Sequence, residues 1–126
     1  MNKTSPLIAV VDDEESVRKA LERLIRSAGM HVKTFQSGAE FLNAGLTLSI
    51  DCVILDVLMS EINGLDVQTQ MVNAGKLLPV IMMTGHDMPG WGVRARGDGA
   101  VAYLLKPIDE RILFDAIESV VSLKNS

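Results

Sequence analysis

Four short apolar runs recur along this chain, and they constrain its fold more than any other feature. They are Leu7-Ile8-Ala9-Val10-Val11, the interior of Asp51-Cys52-Val53-Ile54-Leu55-Asp56, Pro79-Val80-Ile81-Met82-Met83 and Ala100-Val101-Ala102-Tyr103-Leu104-Leu105. Runs this short, with β-branched members and no polar alternation, read as strands buried on both faces. A fifth segment, His31-Val32-Lys33-Thr34-Phe35, alternates instead, which is the pattern of an edge strand with one wetted side.

Helical patterns fill the intervals. Val17, Ala20, Leu21, Leu24, Ile25 and Ala28 form a 3.6-residue stripe opposite Arg18, Lys19, Glu22, Arg23 and Arg26, and Gly29 closes it. Ser37 with Glu40 makes a capping box for a short second helix that stops near Gly45. A third helix is expected from Ile62 to Ala74, entered near Gly64 and closed by Gly75, with a weaker stripe. Asp109 caps a last helix whose stripe is Ile112, Leu113, Ala116, Ile117, Val120 and Val121. Segment 88–99 should be the fourth helix, but Gly90, Gly92, Gly97 and Gly99 make it a poor one. Each interior glycine costs about 1 kcal/mol relative to alanine. Five strands, four of them buried, thus alternate with five helices. Right-handed crossovers then give an α/β fold, a doubly wound parallel sheet with helices on both faces. Residues 1–126 are expected to form one domain with its core at about 6–122, after a polar lead-in (1–6) and before a frayed end (123–126).

Composition narrows the function. Hydrophobic residues make up 48% and charged residues 22%, enough apolar material for a sizeable core in 126 residues. The net charge of -4 argues against this domain itself gripping nucleic acid or an anionic membrane, both of which need clustered Lys and Arg. The single Cys52 sits inside an apolar run, so no internal disulfide can form, which fits a reducing compartment. No apolar stretch reaches the length of a membrane span. The expectation is a soluble, cytoplasmic domain.

The chemistry-bearing residues stand at the carboxyl ends of the strands, where open parallel sheets bind ligands. The first strand ends in Asp12 and Asp13, the third in Asp56, the fourth in Thr84 and the fifth in Lys106. Taken singly each is unremarkable; Asp56 alone reads equally as a loop or cap residue. Together they define one rim. Carboxylates converging there repel by about 1 to 4 kcal/mol per close pair. A hard divalent cation removes that conflict and keeps positions open for phosphate oxygens. Lys106 adds a compact positive charge and Thr84 a hydroxyl. The set suits phosphoryl transfer with Asp56 as nucleophile.

This five-point pattern, with Pro107 after Lys106, resembles the receiver domain of bacterial response regulators over about residues 6–122. The Thr84-Gly85-His86 and Gly99-Ala100-Val101 stretches look most like receivers of the FixJ type. The resemblance implies a flavodoxin-like five-stranded sheet in the order 2-1-3-4-5. It implies that Asp56 accepts a phosphoryl group from a sensor histidine kinase or phosphotransfer protein. Asp12, Asp13, Asp56 and the backbone carbonyl of Leu58 would hold Mg²⁺ (or Mn²⁺). Lys106 would pair first with the acids and then with the phosphoryl oxygens, and its bond to Pro107 would be cis. Thr84 and Tyr103 would be the switch residues. The same resemblance implies a signalling domain rather than a turnover enzyme, a homodimer through the fourth and fifth helices, and a DNA-binding output domain following in longer relatives. Two departures stand out. Ser60 replaces a common proline after Met59, a change expected to loosen the loop that carries the Leu58 carbonyl. The glycine-broken fourth helix implies a partly unwound or unorthodox output surface.

Rival readings are weaker. A haloacid dehalogenase type phosphatase needs a second Asp two residues after the nucleophile, and Leu58 stands there. A nucleotide binder needs a Gly-, Ser- or Thr-rich loop where Asp12-Asp13-Glu14-Glu15 would repel phosphate. A pseudo-receiver acting without phosphorylation usually lacks one of the key residues, and all stand here. His86 reads as an exposed loop histidine or a tuner of water access. Trp91 reads as a local anchor or a partner contact.

Overall fold

The computed structural model describes residues 5–125, with side chains through Val121; residues 1–4 of the lead-in and Ser126 lie outside the described residues. Strands β1 (Leu7–Val11), β2 (His31–Phe35), β3 (Cys52–Asp56), β4 (Val80–Thr84) and β5 (Ala100–Leu105) alternate with helices α1 (Glu15–Ser27), α2 (Gly38–Ala44), α3 (Gly64–Asn73), α4 (Trp91–Gly97) and α5 (Glu110–Asn125). A 3₁₀ turn, Gly45–Thr47, follows α2. The strands form one parallel sheet in the order β2-β1-β3-β4-β5, as expected.

Side chains alternate across each strand, so the apolar runs build two cores. Ala9, Val11, Val53, Leu55 and Met82 face α2, α3 and α4 and meet Phe41, Leu65, Val67, Met71 and Ala95. Ile8, Val10, Ile54, Ile81 and Met83 face the other way, onto Leu21 and Ile25 of α1 and Leu113 and Ile117 of α5. Strands β3 and β4 are buried along their whole length.

Several expectations need correction. β5 is not a fourth buried strand: it closes the far edge of the sheet, and Val101 and Leu105 are 40% and 54% exposed. An apolar run cannot report whether a neighbour covers it, and among the described residues no further strand pairs beyond β5. α4 is shorter than 88–99. Gly90 sits before it with φ 86 and Gly99 after it with φ 103, so only Gly92 and Gly97 fall within seven helical residues. The glycines chiefly bound the helix. α3 starts at Gly64, where the Asn63 side chain accepts the Asp66 N–H, a cap the sequence reading passed over. Ile112, placed in the α5 stripe, is 52% exposed. Ala20 and Ala28 of the α1 stripe are exposed as well. The α5 backbone continues to Asn125, past the expected fraying point. The capping residues Ser37 and Asp109 act as read, accepting from Glu40 N and from Arg111 N.

Candidate functional site

Parallel strands bring their carboxyl ends to one rim, and backbone bonds continue past the strands to fix the residues there. Asp12 N–H donates to Phe35 O, Val57 N–H to Met83 O and Lys106 N–H to Thr84 O. Asp12, Asp56, Thr84 and Lys106 therefore hang from adjacent strands. At position 64 only glycine fits: a Cβ would collide with the carbonyl oxygen of Asp56, because the loop returns against the end of β3. Gly64 N–H donates to Val57 O at 2.8 Å and closes that loop.

The acids converge as expected. One carboxylate oxygen from each of Asp12, Asp13 and Asp56 lies within 4.8 Å of the others. Asp12 and Asp56 are buried and Asp13 is exposed. Lys106 Nζ lies 2.9 Å from Asp12 Oδ2, 3.5 Å from Asp56 Oδ1 and 3.8 Å from Glu14 Oε1. Only the first of these is a hydrogen bond. Asp56 Oδ1 is buried with no hydrogen-bond partner among the described residues. Burial, then the nearby Asp12, pushes the Asp56 carboxyl up to about 7, and Lys106 pulls only partly the other way. Burial works against the charge on Lys106, but its bond to Asp12 and the charges of Asp56, Asp12 and Glu14 outweigh that and raise its pKa.

The rim is thus short of positive charge. Four carboxylates face one ammonium, and a buried carboxylate oxygen is left unsatisfied. Oxygen donors of this kind, partly buried and partly open, fit a hard divalent cation. Leu58, whose carbonyl the sequence reading added, lies two residues beyond β3 in the adjoining loop.

The two residues expected to act as a switch, Thr84 and Tyr103, are both engaged in hydrogen bonds. Thr84 Oγ1 donates to His86 O at 3.0 Å and accepts from His86 N–H. Tyr103 packs its ring above Gly92, and its hydroxyl donates to Asp87 Oδ1 at 2.7 Å. The His86 side chain is exposed, whereas Trp91 is half-buried and packs against the core. The Lys106–Pro107 bond is cis.

Four contacts had no signal in the sequence. Arg18 donates to Asp12 O at 2.8 Å. Ser60 donates to Asp13 through both its backbone N–H and its hydroxyl. Asp87 holds Tyr103, and the buried Gln68 donates to Ala95 O across α3 and α4. The Ser60 pair corrects the expectation of a loosened loop: the residue that replaces proline ties the loop to Asp13, just after β1, instead.

Comparison with known proteins agrees with this geometry. Residues 8–118 match the response regulator receiver domain family, and the chain belongs to it. The response regulator protein TmoT of Ectopseudomonas mendocina is 40% identical over 123 residues, covering 98% of this chain and 56% of that protein. The transcriptional regulatory protein FixJ of Azorhizobium caulinodans is 36% identical over 112 residues, 89% of this chain and 53% of FixJ. Among solved structures, the response regulator StyR superposes with a TM-score of 0.86 at 36% identity, covering 95% of this chain and 61% of StyR. The chain spans about half the length of the curated relatives it matches. No helix among the described residues is long and apolar enough to cross a membrane.

Proposed function

We propose that Asp56 accepts a phosphoryl group from the phosphohistidine of a sensor histidine kinase or phosphotransfer protein, in a Mg²⁺-dependent (or Mn²⁺-dependent) reaction. The observation that carries this reading is Asp56 Oδ1 itself: buried, without a hydrogen bond, beside Lys106 and two further carboxylates. In the transfer an Asp56 oxygen bonds to phosphorus, the N–P bond breaks, and the electron pair stays with the departing imidazole. Asp12, Asp13, Asp56 and the Leu58 carbonyl would hold the cation, which would supply charge neutralisation and a template for the phosphoryl oxygens. Lys106, anchored on Asp12, stands close enough to turn its ammonium toward the incoming oxygens. Gly64 keeps the loop tight against β3 and so keeps Asp56 at a fixed position. Thr84 would exchange its bond to His86 for one to the phosphoryl group, with Tyr103 following, a two-state shift driven by a local change of charge.

Two surfaces support the partners in this reading. A cleft of about 800 Å³ runs beside the rim between α1 and the loop after β5, lined by Val17, Ala20, Leu24, Pro107 and Ile108. It offers an apolar seat for a donor helix next to Lys106. Val93, Val101, Leu105 and Ile112 expose apolar surface on α4, β5 and α5, which supports pairing or output through that side. Relatives named as transcriptional regulators extend well beyond the matched segment, which supports a DNA-binding output in such longer proteins.

The test is to offer acetyl phosphate or beryllofluoride with Mg²⁺ to wild type and Asp56→Asn. Wild type should gain one phosphoryl group by mass, and Trp91 fluorescence should change; Asp56→Asn should do neither. No uptake at Asp56 refutes the proposal.

A further inference from the structure

Of the three clustered carboxylates, Asp13 alone is exposed. Asp12 is buried, accepts the Glu14 N–H at 2.8 Å and pairs with Lys106. Asp56 ends a buried strand. Asp13 is exposed on the loop after β1, where a free side chain would spread over several rotamers and pay entropy to be held. What holds it comes from a segment 47 residues away. The Ser60 backbone N–H and hydroxyl both donate to Asp13 Oδ2, at 3.2 and 3.1 Å.

We infer that Ser60 is a positioning residue that sets the affinity of the rim for its divalent cation, by fixing Asp13 and joining it to the loop that carries the Leu58 carbonyl. The inference rests on the cation reading given above. Both Ser60 bonds fall on one carboxylate oxygen, and the other oxygen of Asp13 remains available to a metal. Hydrogen bonds to a ligating carboxylate from outside the coordination shell orient the ligand before the ion arrives. The Ser60 donors stand at a tight turn, since Glu61 next to Ser60 has φ 71 without being glycine. A proline at position 60 would supply neither donor. This chain has thus replaced the stiffness of proline with a direct tie between two sources of metal ligands.

The experiment is a Mg²⁺ titration of the full chain, followed by amide resonance shifts, on wild type, Ser60→Ala, Ser60→Thr and Asp13→Asn, with melting temperatures taken in EDTA. Ser60→Ala loses the hydroxyl and keeps the backbone donor, so Mg²⁺ should bind about 10-fold more weakly, the low end for such orienting residues. Ser60→Thr keeps a hydroxyl and should stay near wild type. Melting in EDTA should change little, which separates positioning from a general loss of stability. Equal or tighter binding by Ser60→Ala, or a fall in melting temperature with unchanged Mg²⁺ affinity, overturns the inference while leaving the functional reading intact. A wild type that binds no Mg²⁺, or binds it as Asp13→Asn does, overturns both.

Discussion

Replacing the proposed phosphoacceptor should make this protein more stable, provided no metal is present. Asp56 is 2% exposed, and its carboxyl is pushed from 3.8 up to about 7 by burial first and by Asp12 second. The folded protein therefore holds a proton on Asp56 that the unfolded chain has already released. A raised pKa contributes stability that is fully present below about pH 4 and is lost as pH rises through about 7. About three pH units at roughly 1.4 kcal/mol each give a penalty near 4 kcal/mol above that window. Asp56→Asn keeps the shape and removes the charge, but Lys106 loses one of its partners, so a net gain of about 2 to 4 kcal/mol is expected at pH 8. Urea unfolding in EDTA at pH 5, 6, 7 and 8 measures it: wild type should weaken with rising pH, Asp56→Asn should follow a flatter course, and the two should converge toward pH 5. Adding Mg²⁺ should narrow the gap by stabilising wild type alone, since a ligand that binds only the folded form raises its stability. If Asp56→Asn is no more stable than wild type at pH 8, or the gap is the same at pH 5, Asp56 does not carry an uncompensated charge and the electrostatic account of the rim is wrong.

Further outcomes follow from the same geometry. Lys106→Met should cost about 3 kcal/mol in a urea titration at pH 8, because it strands Asp12 and Asp56 without a counter-ion; a neutral effect would mean the acids do not rely on it. Gly64→Ala should lower stability by about 1 to 3 kcal/mol, through its collision with the Asp56 carbonyl, and should blunt the beryllofluoride response; an unperturbed melt would show that the loop can move away. The only tyrosine, Tyr103, is raised to about 12 by burial, then by its bond to Asp87 and that residue's charge. Asp87→Asn should therefore let phenolate absorbance at 295 nm appear at a lower pH, and an unchanged titration would assign the whole shift to burial.

The rim was legible in the sequence because charge next to a buried apolar run demands explanation. Asp12, Asp56, Thr84 and Lys106 each end a strand pattern, and a parallel sheet leaves only one place for all of them. Exposure of β5 was not legible, since Val101 and Leu105 are as apolar as buried residues and the sheet's end is a property of topology. The Asn63 cap was legible and missed: Asn63 with Asp66 three residues on is a helix start, but Ile62 drew attention as part of a stripe. The Ser60, Arg18 and Asp87 contacts belong to a different class. Each joins a polar side chain to a group whose position depends on the finished fold, and no local period announces it.

The output side follows a different logic from the rim. α4 is joined to α3 by Arg94 to Asp66 at 2.7 Å, Thr69 to Asp98 at 2.9 Å and the buried Gln68 to Ala95 O at 3.1 Å. These bonds span the helix from its middle to its end, and the buried one lies where water cannot readily take its place. Thr84 and Tyr103, by contrast, both end on the loop between β4 and α4, at His86 and Asp87, and that loop is bounded by Gly85 and by Gly90 in the left-handed region. A displacement of Thr84 toward the rim would break these part-buried and exposed loop bonds before it strained the α3–α4 clamp. Gly90 therefore has a physical use: it divides a clamped helix from the loop that holds Thr84 and Tyr103.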